Sequence, residues 1–357
     1  MHILLTLLLI AAPLARQQPS AAQLSRAGWE ALNSGRTRDA AAAFEQALKV
    51  APQTPELLLG AGVTAHLQGH DDEARRFLLD ALKVEPSLTA ASLLLGNVLY
   101  QSGDIDGAIA TYEQAVVHAP DHPRLTRQLD AWRKEAALHD RFGRKLGDHF
   151  TVLFEGPAEA ALADRAVEVL ESAYWRIGTA LYTYPTDVIT VVLYTREQFR
   201  DITQSPEWAG GAFDGRIRVP VRGALENRAE FERVLSHEFT HALVQSLAPR
   251  GVPFWLHEGL AGVFEGSDMA ARQQQLRGAP TRLPLTRLER SFDNLSGADA
   301  SLAYAESAVA VRELLDEAGA PAVVNLLEDL GRGAALPDAF ERRIMFSYAA
   351  FQKKLRD

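Results

Sequence analysis

The sequence predicts an all-α repeat solenoid followed by an α+β domain whose C-terminal half is helical. Three observations carry this. Residue types recur every 34 positions across residues 21–122, short β-branched and aromatic runs follow Gly147, and the pattern is helical almost continuously from Glu230 onward. A chain of 357 residues suits two or three domains at roughly 150 residues each. Its 47% hydrophobic share, with 8% aromatics, is enough to pack them.

Residues 1–20 read as an export signal or a short anchor. Ile3 to Ala12 (ILLTLLLIAA) is an apolar run of ten residues ended by Pro13, with Ala15, Ser20, Ala21 and Ala22 following. Spanning a bilayer takes about 20 apolar residues, so the run is too short for a membrane helix. Its length instead suits the apolar stretch of a secretory signal. Only Met1 and His2 precede it, without a Lys or Arg, and an ordinary buried N-terminal helix is the alternative. Export places the folded chain in a periplasm or outside the cell. No other stretch is long and apolar enough to anchor it.

The repeat comes next. Pro52, Pro86 and Pro120 are spaced by 34, as are Ala47, Ala81 and Ala115, then Ala40, Ala74 and Ala108, and Gly28, Gly62 and Gly96. Phe44, Leu78 and Tyr112 place a large apolar side chain at a further phase, and Gly35, Gly69 and Gly103 a glycine at another. In each unit two helical patterns meet at this last glycine, and the proline stops the second helix. The small Ala lets the helices approach while the large residue fills the gap between them. Period and phasing resemble the tetratricopeptide repeat, which stacks helical hairpins into a solenoid. Pro123 to Arg141 is more polar and reads as a capping helix, with residues 123–147 forming cap and linker. In that family the concave groove often binds extended peptides, one subgroup clamping C-terminal carboxylates with Lys, Arg and Asn. Here the first-helix positions include Trp29, Leu59, Val63, Leu93, Asn97 and Tyr100, mostly apolar, which argues against a carboxylate clamp. A protein partner on the groove and packing of the groove on the second domain both stay open.

The second domain is expected over residues 148–357. Phe150 to Phe154 (FTVLF) and Val188 to Tyr194 (VITVVLY) are of strand type, with helical spacing between them from Ala158 to Tyr182. Arg216 to Val221 (RIRVPV) alternates like a strand, and Pro220 inside it predicts a sheet edge. The helical half beyond Glu230 is broken at Pro253, at Gly278 to Pro284 and at Gly331 to Gly333. A small mixed sheet followed by helices fits α+β.

Composition narrows the chemistry. The net charge of −9 argues against a nucleic-acid binder, which needs a basic face for phosphates. With no cysteine, disulfides, thiolate zinc sites and cysteine nucleophiles are excluded, so any metal must be held by His, Asp or Glu.

Residues 237–241 read HEFTH within the helical pattern from Ala229 to Ser246. His237 and His241 stand four apart and project from one helical face. Glu238 follows the first of them directly, where it can reach a metal-bound water. Zinc takes nitrogen ligands of this kind and, in catalytic sites, keeps a position open for water, whose pKa it lowers to about 7. Two surface histidines with an incidental glutamate are the bland alternative. Phe239, Ala242 and Leu243 interleave with the motif and make a half-buried helix whose polar residues need a reason. His118 and His122 are also four apart, but Pro120 between them breaks the helix, so they read as surface residues.

A second helix opens after Pro253 (PFWLHEGLAGVFE), one short connection beyond His241. Glu258 is the natural third ligand and His257 the competing one. Adjacent helical residues point about 100° apart, so only one of them can face a metal. This arrangement resembles the gluzincin metallopeptidases, in which HExxH is followed by a glutamate ligand on the next helix, and the resemblance selects Glu258. It extends over residues 148–357, which look like a peptidase MA-like domain fused to repeats. Membership implies one zinc per chain on His237, His241 and Glu258, with Glu238 as general base in peptide-bond hydrolysis. Glu265, seven residues after Glu258, reads equally as a carboxylate orienting a ligand and as a solvated helix end. Gly210 to Gly215 (GGAFDG) corresponds to the edge strand that pairs with substrate backbone in gluzincins, so Gly211 and Ala212 are the expected substrate contacts; a plain hairpin is the alternative. Tyr304, near the start of Leu302 to Leu314 (LAYAESAVAVREL), looks like the oxyanion donor of gluzincin aminopeptidases, against a core tyrosine; His257 and Tyr348 are the fallback donors. The expectation is an exported zinc peptidase acting on a peptide or protein substrate, against a non-catalytic repeat scaffold carrying a zinc-stabilised peptidase-like domain.

Overall fold

The structure, a computed structural model, describes residues 19–203, 211–221, 227–279, 281–292 and 294–355. Residues 1–18, which hold most of the expected export signal, lie outside that set. Helices α1 (Ala21–Asn33) and α2 (Thr37–Val50), α3 (Pro55–Leu67) and α4 (Asp71–Val84), and α5 (Thr89–Gln101) and α6 (Ile105–His118) form three hairpins, followed by α7 (Pro123–His139). The periodic residues meet one another. A Cβ on Gly28 would lie 2.7 Å from Phe44 and one on Gly62 2.8 Å from Leu78, while Gly96 leaves room for the Tyr112 ring. Each glycine thus makes the socket for the large residue 16 positions later, and Ala40, Ala74 and Ala108 are fully buried beside it. The turn glycines Gly35, Gly69 and Gly103 sit at φ +70°, +78° and +90°, where an L side chain is strained. His118 is exposed, and His122 caps α7 through Nδ1, which accepts from Leu125 N at 3.4 Å.

Beyond α7 come β1 (Gly143–Leu146), β2 (Phe150–Phe154), α8 (Ala160–Leu181), β3 (Ile189–Tyr194), α9 (Arg196–Thr203), β4 (Ala212–Phe213) and β5 (Ile217–Pro220). The helical half holds α10 (Arg228–Leu247), α11 (Phe254–Phe264), α12 (Met269–Gly278), α13 (Gly297–Ala318), α14 (Ala320–Gly331), α15 (Leu336–Ile344) and α16 (Tyr348–Lys354). Among the described residues the sheet runs β1-β2-β3-β5-β4, parallel in its centre and antiparallel at both edges. Two expectations need correction. Residues 143–146, placed in the linker before residue 148, form the edge strand β1; GRKL is polar and its exposure hides it from a hydrophobic pattern. The strand with Pro220 is not the edge, because β5 lies between β3 and β4. Val221 N donates to Tyr194 O at 2.8 Å, so alternation turns the N of Pro220 to the other side, where the two-residue β4 has already ended. β4, within the glycine-rich segment, is the edge.

Both faces of the sheet are covered. Val191, Leu193, Ile217 and Val219 face a core with α8 and α10, and Val192 and Tyr194 face Leu138 and Phe142 at the end of α7 and Phe199 of α9. The capping helix therefore doubles as a layer over the sheet. A second core joins α11 and α13 to α16. The repeats touch the C-terminal domain at further points: Arg38 Nη2 donates to Arg332 O at 2.9 Å, and Arg250 Nη2 lies 2.9 Å from His66 Nδ1 and 3.3 Å from Asp71 Oδ2. Among the described residues no helix is long and apolar enough to cross a membrane.

Candidate metal centre

Helix α10 starts at Asn227, whose side chain accepts from Glu230 N at 3.1 Å. It runs between the two cores: Leu235, Phe239 and Leu243 pack toward the sheet and Val244 into the helical half. A helix held on both sides has little freedom to rotate, and its remaining face turns His237 and His241 toward α11. That helix is tethered at its first turn, where Phe254 N and Trp255 N donate to Glu289 O at 3.0 Å and Leu288 O at 2.8 Å. Gly259 and Gly262 let α13 lie directly on α11, since a Cβ at either would meet Ser307 and Val311, or Ala308.

Three donor atoms converge. His237 Nε2 and His241 Nε2 are 3.1 Å apart, and the Glu258 oxygens lie 3.5 and 3.7 Å from them. Ligands around a tetrahedral zinc at about 2.0–2.2 Å are separated by about 3.3 Å, so the set fits the ion. Glu258 is the carboxylate in the triangle. His257 instead stacks on His241, with ring centroids 4.3 Å apart and planes 10° from parallel.

The surroundings favour a cation. Glu238, Glu258 and Glu265 surround two imidazoles. Burial alone would lower the His237 pKa, but its hydrogen bonds to the carboxylates of Glu258 and Glu265, with the Glu238 charge, lift it to about 10. The positive charge attracted there as a proton is what a divalent ion would bring. His241 is pushed well down by burial and by the neighbouring His257 and His237, which keeps its lone pair free. Glu238 is 5% exposed, its Oε2 has no hydrogen-bond partner among the described residues, and burial raises its carboxyl to about 7 against the pull of His237.

Glu265 is buried, which rules out the solvated helix end. Its Oε2 is 2.8 Å from His237 Nδ1 and accepts from Arg233 Nη1 at 2.6 Å, while Arg272 and Ser267 donate to Oε1. Burial would raise its carboxyl, but His237, Ser267 and Arg233 hold it down at about 2. It thus fixes the ring of His237 with Nε2 turned inward. Arg233 and Arg272 were not read from the sequence. Arg233 stands four before His237 on the same face and was legible in principle; Arg272, on α12, carries no local signal.

The cleft has a volume of about 590 Å³ and is also lined by Gly211, Ala212, Phe213, His257 and Tyr304. A Cβ on Gly211 would lie 2.5 Å from Glu238 Oε1, so a larger residue just before β4 would push that carboxylate aside. Tyr304 is half-buried and packs edge-on against Phe292 at 5.2 Å. Tyr348 does not line the cleft; it is buried behind α11, stacked on Trp255, which removes it as a fallback donor.

Residues 176–357 match the sequence profile of the Peptidase MA superfamily, over half of the chain. The chain belongs to this superfamily. Residues 25–86 and 72–123 match tetratricopeptide repeats, so the peptidase MA domain follows a repeat array, as the two motifs implied. A stretch of 63 residues is 41% identical to cellulose synthase operon protein C of Komagataeibacter xylinus, covering 18% of this chain and only 5% of that protein. The first tetratricopeptide domain of Spaghetti (RPAP3), solved with the HSP90 peptide SRMEEVD, aligns at 18% identity and a TM-score of 0.32 over 33% of this chain and 96% of its own.

Proposed function

We propose that this member of the Peptidase MA superfamily is an exported, zinc-dependent peptidase. The observation that carries the reading is the triangle of His237 Nε2, His241 Nε2 and a Glu258 oxygen, with the buried, unpartnered Oε2 of Glu238 beside it. His237, His241 and Glu258 would hold one zinc. Zinc there supplies a Lewis acid that polarises a peptide carbonyl and makes water acidic enough to lose a proton near neutral pH. Glu238 takes that proton at its carboxylate and delivers it to the nitrogen of the leaving amine. Its burial supports the task, because Oε2 has no competing hydrogen-bond partner among the described residues and stays available for the proton. Tyr304 donates its hydroxyl hydrogen to the carbonyl oxygen as negative charge develops there. The sheet edge at β4, with Gly211 just before the strand and Ala212 in it, pairs with the main chain of an extended substrate. The repeats add a groove for a protein or peptide partner, although Tyr100 is committed to the contact between the domains.

The deciding experiment measures metal content and hydrolysis of an unfolded protein for wild type and Glu238→Gln. One zinc per chain in both, with turnover in wild type alone, is the expected result. Wild-type protein without zinc, or equal turnover in both, overturns the reading; zinc without turnover in either favours a scaffold with a zinc-stabilised domain.

A further inference from the structure

Behind the edge strand lies a buried polar cluster that joins the repeats to the sheet. Arg218 of β5 is 1% exposed and Glu135 of α7 is 2% exposed. Arg218 Nη1 donates to Glu135 Oε1 at 2.7 Å and to the Tyr194 hydroxyl at 2.7 Å, and Nη2 donates to the Tyr100 hydroxyl at 2.8 Å. Its Nε lies 3.0 Å from both carboxylate oxygens of Asp214. Tyr100 passes its own hydrogen to Glu135 Oε2 at 2.6 Å, and Arg216 adds a bond from Nη1 to Glu135 Oε1 at 3.3 Å and one from Nη2 to Gly103 O at 2.8 Å. His139 Nε2 is 2.6 Å from the Tyr194 hydroxyl, and burial lowers its pKa to about 4, so the neutral ring can accept that hydrogen. A buried arginine is tolerated only when its charge and donors are paired, and here the pairing comes from both domains.

The position of Arg218 gives the cluster a consequence for the cleft. β4 is two residues long and among the described residues is paired to the sheet only through β5, Ala212 facing Arg218 and Phe213 facing Ile217. So short a strand has little stability of its own. Arg218 lies beside it in register and grips Asp214, the residue immediately after it. The other end of the same guanidinium is gripped by Tyr100 of the last repeat and Glu135 of the capping helix.

We infer that Tyr100 of the repeat array and Glu135 of its capping helix α7 act through Arg218 as positioning residues for the substrate-binding strand β4, which makes the capped array a structural part of the peptidase cleft. This rests on the peptidase reading for what β4 binds, but not for the clamp itself. Two readouts on the full-length chain separate them: hydrogen exchange of the amides of residues 212–219, and kcat and KM on an unfolded protein. Tyr100→Phe and Glu135→Gln each remove a bond of the cluster at the array end, and Asp214→Asn weakens it at the strand end. Arg250→Gln loosens the same interdomain seam at His66 and Asp71, away from β4. In the three cluster variants exchange should rise about tenfold, the effect of one lost hydrogen bond to a charged group. KM should rise about tenfold with kcat changed less than about twofold and zinc content unchanged, because a displaced strand weakens binding of the extended substrate. Arg250→Gln should alter neither readout. Unchanged exchange in the cluster variants, equal acceleration in Arg250→Gln, or an unchanged KM where wild type turns over would overturn the inference. If wild type has no turnover, the peptidase reading falls, and exchange alone decides whether the array holds β4.

Discussion

At the scale of single residues, the centre depends on which carboxylate meets which nitrogen. Glu265 holds His237 by its Nδ1 and is in turn held by Arg233 and Arg272. Removing such an orienting group typically weakens metal affinity by about 10- to 100-fold. Glu265→Gln should therefore lower zinc affinity by that order while leaving the three ligands in place, as a chelator competition titration would measure. Tyr304 separates two roles by one atom. If its hydroxyl stabilises the oxyanion, Tyr304→Phe should lower kcat by about 100- to 1,000-fold with zinc content and melting temperature unchanged. Full turnover in that variant would move the donor role to His257, which lines the same cleft. His237, Glu238 and His241 were legible as a spacing because helical geometry alone puts i and i+4 on one side. That Glu265 is buried was not, since burial is decided by α12 and α10 closing over it.

At the scale of elements, α11, which carries Glu258, packs at close approach on α13. Gly259 sits against the Ser307 carbonyl and Val311 of α13, closer than any Cβ tolerates, whereas a Cβ on Gly262 would stand 3.1 Å from Ala308. Gly259→Ala should force α11 and α13 apart and cost about 1–3 kcal/mol, as overpacked cores do. Gly262→Ala needs a shift of only a few tenths of an ångström and gains helix propensity, so it should be nearly neutral. Thermal unfolding of the two variants with zinc present tests the contrast; equal losses would refute the close-packing account. The repeat behaves in the same way, with Gly28, Gly62 and Gly96 receiving Phe44, Leu78 and Tyr112. There the period of 34 exposed the pattern in the sequence. Gly259 and Gly262 occur once, with no period to reveal them.

At the scale of the whole molecule, the interface between repeats and peptidase domain should respond to pH. His139 is 12% exposed at that interface, and burial lowers its pKa from 6.5 to about 4 despite the nearby Glu135. The unfolded chain therefore takes up a proton at His139 that the folded chain refuses between pH 6.5 and about 4. Stability falls as pH drops through this window, by on the order of 3 kcal/mol from this group. Urea unfolding at pH 7.5 and pH 5 should show a smaller difference for His139→Gln than for wild type; an identical difference would assign the loss to other groups. Cell fractionation addresses the proposed export. The full-length chain should be recovered outside the cytoplasm, and a cytosolic product with an intact N-terminus would refute it.

The sequence by itself determined the helical hairpins, the order of repeat array and α+β domain, and the spacing of His237, Glu238 and His241 on one helix. Each of these is written in a local period: 34 for the repeats, two for the strands, four for the histidines. Tertiary structure decided what no period records. It placed Glu258 and not His257 in the triangle, and it buried Glu265 as the holder of His237. It sent Tyr348 into the core, put β4 and not β5 at the sheet edge, and covered the sheet with α7. Those outcomes depend on which surfaces meet between segments far apart in the chain, as when Arg218 meets Tyr100, 118 residues away, and Glu135, 83 away. A buried arginine at an alternating position reads in sequence as an exposed one, and only the partner domain shows that its charge is matched.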